Sequence, residues 1–167
     1  MTPDLQPFVI SRTFDAPRDL VWKAHTQCEH LRHWWGPKGF KITDCKIDLR
    51  PGGTFLYGMQ PVSGGDKIWG KFVYREIDEP EKLVFVVSFS DENAGITRHP
   101  MSSVWPLEIF GTSTFSEENG KTTVTVSWKP FNATEEEIDA FEAGRPSMMQ
   151  GFGGTFDQFE EYLKTFD

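Results

Sequence analysis

The carboxy-terminal stretch constrains the fold more than any other part of the chain. Met148, Phe152, Phe156, Phe159 and Leu163 recur at steps of four, four, three and four, with Thr155, Tyr162 and Phe166 beside them. Asp157, Gln158, Glu160, Glu161 and Lys164 fill the intervening positions. That period draws one apolar stripe along a helix predicted over 147–166. Such a helix gains its stability by laying the stripe against another element. Gly151, Gly153 and Gly154 suggest a rival reading, a loop that cradles phosphate. That reading fails: a G-x-G-x-x-G fingerprint needs glycine where Phe156 stands, no Gly-Lys-Ser/Thr follows, and no strand precedes. Each glycine costs the helix about 1 kcal/mol relative to alanine. The expected compensation is space, with the backbone at Gly151 and Gly154 approaching a sheet.

The surface that covers the stripe must lie upstream, and the pattern there is mostly period two. Residues 8–14, "FVISRTF", form a first strand, closed by "DAPRD", where Asp15 is expected to cap a short helix bearing Leu20, Val21 and Ala24. "CEHLRHWW" reads as a second short helix, ended by Gly36 and Pro37. "FKITDCKIDL", "TFLYGMQP", "KIWGKFVYREI", "KLVFVVSFS", "PLEIFGTSTFSE" and "KTTVTVSWKPF" then read as successive antiparallel strands, the last two joined through Asn119-Gly120. Thr134 and Glu137 stand in capping-box spacing before "IDAF", and Gly144, Arg145 and Pro146 break that helix. A sheet of about six or seven strands has one face to cover, and only the last helix is long enough to cover it. The class predicted is α+β, organised as one domain over 1–167.

Composition narrows the function. Net charge is −8 with 17 Lys and Arg scattered along the chain, which argues against a nucleic-acid partner. No stretch approaches the ~20 apolar residues of a membrane span, and "MTPDLQPFVISRTFD" lacks the pattern of a leader. Cys28 and Cys45 have no second cysteine at metal-ligand spacing and are expected to be free thiols of a cytoplasmic protein. Aromatic residues reach 14% of the chain, with 6 Trp and 15 Phe. Rings of that bulk must fill a core, line a cavity or form an interface.

Together, "FDAPRDLVWKAHTQCEHLRHWWGPKGF", "IDLRPGGTF", "WGKFVYREIDEPEKLVFVVSF", "GTSTFSEENGKTTVTVSW" and "MMQGFGGTFDQFEEYL" resemble the SRPBCC superfamily with its START-like helix-grip fold. Within it, the chain resembles the branch of the Aha1 C-terminal domain, the activator of heat-shock protein 90 ATPase, which includes calicheamicin self-resistance proteins. The likeness runs over 8–166. It implies a curved antiparallel sheet wrapped around the carboxy-terminal helix, an apolar cavity between them, and no cofactor. Eukaryotic members add a separate amino-terminal domain important for chaperone contact, and with its first strand so near its start this chain is expected to lack one. The glycine cleaved in calicheamicin self-resistance has no counterpart assignable here by motif.

If that cavity exists, Trp35, Tyr57, Trp69 and Trp128 are the rings suited to a flat apolar ligand, joined by Met148, Phe152 and Phe156 from the helix. Polar candidates at its interior or rim are His25, Arg98, His99 and Glu108. Arg98 and His99 sit in the long loop "DENAGITRHPMSSVWPLE" and would grip an anionic end. His25 is an acid–base candidate only if it faces a cavity. Glu108 points opposite to Leu107 and Ile109, either at the rim or inward. Glu29, His30 and His33 could share a helical face, but exposed histidines are the simpler reading and no metal is expected. The function expected is non-enzymatic binding of a small apolar or aromatic molecule, by a monomer or homodimer. The rivals are a chaperone-associated interaction domain, a cyclase- or hydrolase-type enzyme using the same cavity, and a filled core.

Overall fold

The computed structural model describes residues 6–166; Met1 to Leu5, the start of the stretch read as lacking a leader, and Asp167 lie outside the described residues. In chain order the elements are β1 (Phe8–Phe14), α1 (Arg18–Thr26), α2 (Cys28–Leu31), β2 (Phe40–Ile47), β3 (Thr54–Pro61) and β4 (Ile68–Asp78). There follow β5 (Lys82–Ser90), β6 (Ile96–Thr97), β7 (Glu108–Glu118), β8 (Lys121–Phe131), α3 (Glu135–Ala143) and α4 (Arg145–Leu163). The strands form one curled sheet in the order β1-β8-β7-β5-β4-β3-β2, with the two-residue β6 paired to β5. All pairings are antiparallel, and short connections join β2 to β3, β3 to β4, β4 to β5 and β7 to β8. This is the helix-grip α+β architecture.

Register decides what each face carries. The rungs Phe72–Val87–Ile109 and Phe85–Gly111–Trp128 run across the concave face. Two glycines there make room for rings: a Cβ at Gly70 would strike the Tyr57 phenol, and one at Gly111 would strike Phe85. The sheet thus folds its own aromatics inward. At its β7–β8 hairpin, Asn119 and Gly120 both take positive φ, 55° and 78°, as the turn demands.

α4 lies in the concavity. Phe156 and Phe159 are 2% and 0% exposed. Phe159 sits 4.3 Å from the Trp34 ring and 4.8 Å from Phe14, centroid to centroid. Burying each such ring contributes about 1.5–3 kcal/mol. Thr155 Oγ1 donates to Gly36 O at 3.0 Å and fixes the helix against the Trp34–Pro37 segment. The helix starts at Arg145, two residues before the expected start, because Gly144 alone separates it from α3.

Three expectations need correction. Asp15 does not cap α1, whose N-cap is Pro17 and carries no side-chain bond. Neither Gly151 nor Gly154 brings the backbone against the sheet: a Cβ at Gly151, as at Gly153, would meet nothing within 4 Å, and one at Gly154 would meet the Lys38 aliphatic chain. Cys28 and Cys45 are not free thiols but a disulfide, with Cα atoms 5.8 Å apart. The start of α2 packs beside β2, so residues with a sequence separation of 17 meet in space. The capping box is present as read: the Thr134 side chain accepts from Glu137 N, and Glu137 accepts from Thr134 N.

Candidate functional site

A cavity of about 580 Å³ opens at one end of the concave face. Three walls build it. The sheet supplies Tyr57, Met59, Gly70, Val87, Ile109 and Trp128. The connection between β6 and β7 supplies His99, Ser102, Trp105 and Pro106. The corner between α3 and α4 supplies Ala140, Ala143, Gly144, Ser147 and Met148. The cavity exists because the helical corner is built of small side chains where the rest of α4 carries rings.

The loop wall is anchored at both ends. The Arg98 guanidinium donates to the Glu137 carboxylate and to Trp105 O. Glu137 is thereby shared between the α3 capping box and the loop; the Thr134 amide and then Arg98 hold its carboxyl below the usual range. The Trp105 ring lies 5.6 Å from Phe141 and closes on Gly144, where a Cβ would sit 2.9 Å from it. His99 stacks edge-on to Phe89 at 4.8 Å, and its Nδ1 accepts the Met101 amide at 2.9 Å. Burial lowers the His99 pKa, so the ring is neutral near pH 7 with its hydrogen on Nε2.

Deeper in, behind Trp128, a void of about 30 Å³ lies among His25, Trp35, Phe152 and Phe156. It has room for about one water-sized group. His25 is surrounded by Trp34, Phe115 and Phe159 at 4.7–5.0 Å. Its Nδ1 donates to Val21 O at 2.8 Å, and burial presses its pKa down to about 4. It is a neutral core histidine.

Of the residues singled out from sequence, Tyr57, Trp128, Met148 and His99 border the large cavity. Trp69 borders it as well, but its ring lies over Gly58 on the convex face, with Lys67 Nζ 5.7 Å from its centre. Trp35, Phe152, Phe156 and His25 surround the inner void instead. Arg98 is committed to Glu137, and neither Arg98 nor Glu108 borders either space. Glu108 shares the convex parity of Phe110, opposite Ile109. His30 Nδ1 contacts the Tyr162 hydroxyl at 2.7 Å, and His33 stacks on the same ring. Among the described residues no three His, Cys, Asp or Glu side chains converge as metal ligands. Sequence reasoning missed the α3–α4 corner, although Ala140, Ala143, Gly144 and Ser147 mark a small-residue stripe at helical spacing.

Polar atoms at the site are short of partners. Among the described residues, Trp35 Nε1, Ser88 Oγ and Trp128 Nε1 are buried without a hydrogen-bond partner. Burial pushes the Tyr57 hydroxyl up to about 12. The Trp35 indole faces that oxygen without completing a bond and offsets part of the rise. Among the described residues no helix is long and apolar enough to cross a membrane.

The model of the family described as activator of Hsp90 ATPase homolog 1-like protein matches residues 15–164. None of the curated proteins matches the chain. Among solved structures, protein Ms6760 from Mycobacterium smegmatis is similar at 26% identity and TM-score 0.75, covering 97% of this chain and 93% of its own. Protein NE0264 from Nitrosomonas europaea is 26% identical with TM-score 0.72, covering 99% and 97%. The AHSA1-like protein from Aeromonas hydrophila shares the fold at 19% identity and TM-score 0.63, covering 94% and 92%.

Proposed function

The chain belongs to the activator of Hsp90 ATPase homolog 1-like family, and from that premise we propose that it binds a small apolar or aromatic molecule between sheet, loop and helical corner. The observation that carries this reading is the cavity of about 580 Å³, within the ~300–1,000 Å³ range of small-molecule sites. Burial of apolar ligand surface drives binding at about 25 cal/mol per Å², so affinity should follow the ligand's apolar area until the space is full. No cofactor is invoked. The cavity has no carboxylate in its walls, and His25 is enclosed by rings behind Trp128, so binding rather than cyclase- or hydrolase-type catalysis is the better reading.

The test uses N-phenyl-1-naphthylamine, an uncharged dye that fluoresces in apolar surroundings. Saturable enhancement and a dye-dependent rise in melting temperature are expected, since a ligand that binds only the folded state stabilises it. Ser147→Trp, an exposed position in the cavity wall, should weaken dye binding by at least about tenfold while leaving the dye-free melting temperature within a degree or two. Absence of saturable binding would overturn the reading.

A protein-contact reading rests on Met101, 89% exposed on the loop wall, and Met149, 48% exposed beside the helical wall. Methionines of this kind suit an adaptable interface. It predicts that Met101→Ser with Met149→Ser abolishes binding to an Hsp90-type ATPase; no binding by the parent chain would dispose of it.

A further inference from the structure

The polar groups of the cavity restrict the ligand's chemistry, provided that the binding reading above holds. No Asp, Glu, Lys or Arg side chain borders the space. The nearest cation on the loop, Arg98, is already bonded to Glu137 and to Trp105 O. At the helical corner the carbonyl end of α3 and the amide end of α4 meet at Gly144, so their opposite partial charges offset each other. A charged ligand end would lose its hydration there and gain no counter-charge.

Apart from the hydroxyls of Ser88, Ser102 and Ser147, which donate and accept alike, the polar side-chain groups that remain offer hydrogen-bond donors. His99 Nδ1 is occupied by the Met101 amide, which leaves Nε2–H as the free polar atom of a neutral ring. Tyr57 borders the cavity with its hydroxyl over Gly70, and that hydroxyl stays protonated and able to donate. Trp128, the wall shared with the inner void, holds a buried indole N–H without an acceptor. A donor left unpaired beside an apolar ligand loses its water and gains nothing.

We propose that the cavity is selective for uncharged apolar molecules bearing a hydrogen-bond acceptor of the carbonyl type, received by the Tyr57 hydroxyl and His99 Nε2–H. Tyr57 and His99 are then the specificity-determining residues, and the anionic ligand expected from Arg98 and His99 is replaced by a neutral one.

Three probes on one ring system separate the alternatives by displacement of N-phenyl-1-naphthylamine: 2-acetylnaphthalene, its isostere 2-isopropenylnaphthalene, and 2-naphthoate. The ketone should bind about 5- to 10-fold tighter than the alkene, the yield of one or two net hydrogen bonds. The carboxylate should bind more weakly than the ketone. Tyr57→Phe and His99→Phe should each cut the ratio of ketone to alkene affinity to about 2-fold or less, with saturable alkene binding retained as the sign that the variants are folded. If the dye binds but ketone and alkene compete equally, or neither competes, the selectivity proposal falls and the apolar-binding reading stands. A preference that survives in both variants, or tightest binding by the carboxylate, overturns it as well. If the dye does not bind at all, the binding reading fails and takes this inference with it.

Discussion

Replacing Gly151 and Gly153 together by alanine should stabilise the protein, and the size of the gain follows from the geometry of α4. Both residues lie inside the helix Arg145–Leu163, with no positive φ, and a methyl at either would meet no heavy atom within 4 Å. Alanine therefore fits the existing backbone without displacing a neighbour. The gain is about 1 kcal/mol per site, arising largely from an unfolded chain with fewer conformations to lose. Positions two apart on a helix do not face each other, so the two effects should add to about 2 kcal/mol. For a chain of this size that raises the melting temperature by about 4–8 °C. Urea denaturation followed by far-ultraviolet circular dichroism, with a thermal scan beside it, measures both quantities. Gly154→Ala supplies the contrast: its Cβ would lie 3.3 Å from Lys38 Cγ, so the Lys38 side chain must give way and the gain should be smaller. A double variant with an unchanged or lowered midpoint would mean that 151–154 is not regular helix in solution.

Three other outcomes follow from the core and its cross-link. His25 has a pKa lowered to about 4 in the fold against 6.5 unfolded, so the unfolded chain takes up the proton first and stability falls as pH drops from 6.5 toward 4. The loss should approach about 3 kcal/mol in urea titrations at successive pH values; His99 is shifted the same way, so a His25→Phe variant that keeps the full slope would refute this assignment. Phe159→Ala should cost about 3–5 kcal/mol of unfolding free energy, since the ring is fully buried against Trp34, Phe14 and His25; a loss under 1 kcal/mol would mean that α4 is rotated from the face described. Cys28→Ser with Cys45→Ser should cost about 3 kcal/mol, the loop-closure value for a separation of 17 residues, and adding reductant to the parent chain should reproduce the loss; two reactive thiols in the untreated native protein would contradict the cross-link.

The features legible in the sequence are those whose causes are local. Thr134 and Glu137 bond each other across three residues, and Asn119-Gly120 needs only its own backbone conformation, so each could be read without knowing the fold. The α4 stripe is legible because helical period alone gathers Phe152, Phe156 and Phe159 on one side. Pairings that depend on the fold were not legible: Cys28 with Cys45, and Arg98 with a glutamate 39 residues away. The Trp69 placement was available and missed. In "KIWGKFVYREI" it shares parity with Lys71 and Arg75, the solvent-side set, while Gly70, Phe72 and Tyr74 form the buried one. Strict alternation puts its ring on the convex face, where the structure has it.

Why the cavity sits at one end of the helix, rather than along it, is a matter of side-chain volume. The same concave sheet faces both halves of α4. Opposite its later turns, Phe156 and Phe159 meet Phe14 and Trp34, and the space remaining among the rings there is about 30 Å³. Opposite its first turn and the end of α3, the facing residues are Ala140, Ala143, Gly144 and Ser147, and about 580 Å³ remains. The loop wall cannot collapse into that space, because Arg98 ties it to Glu137 and Trp105 is wedged between Phe141 and Gly144. Small residues alone would let the elements close together; small residues beneath a tethered loop hold them apart. The cavity is therefore a product of two separable features. Enlarging Ala140 should fill it without disturbing the loop, whereas removing the Arg98 guanidinium should free the loop without filling it.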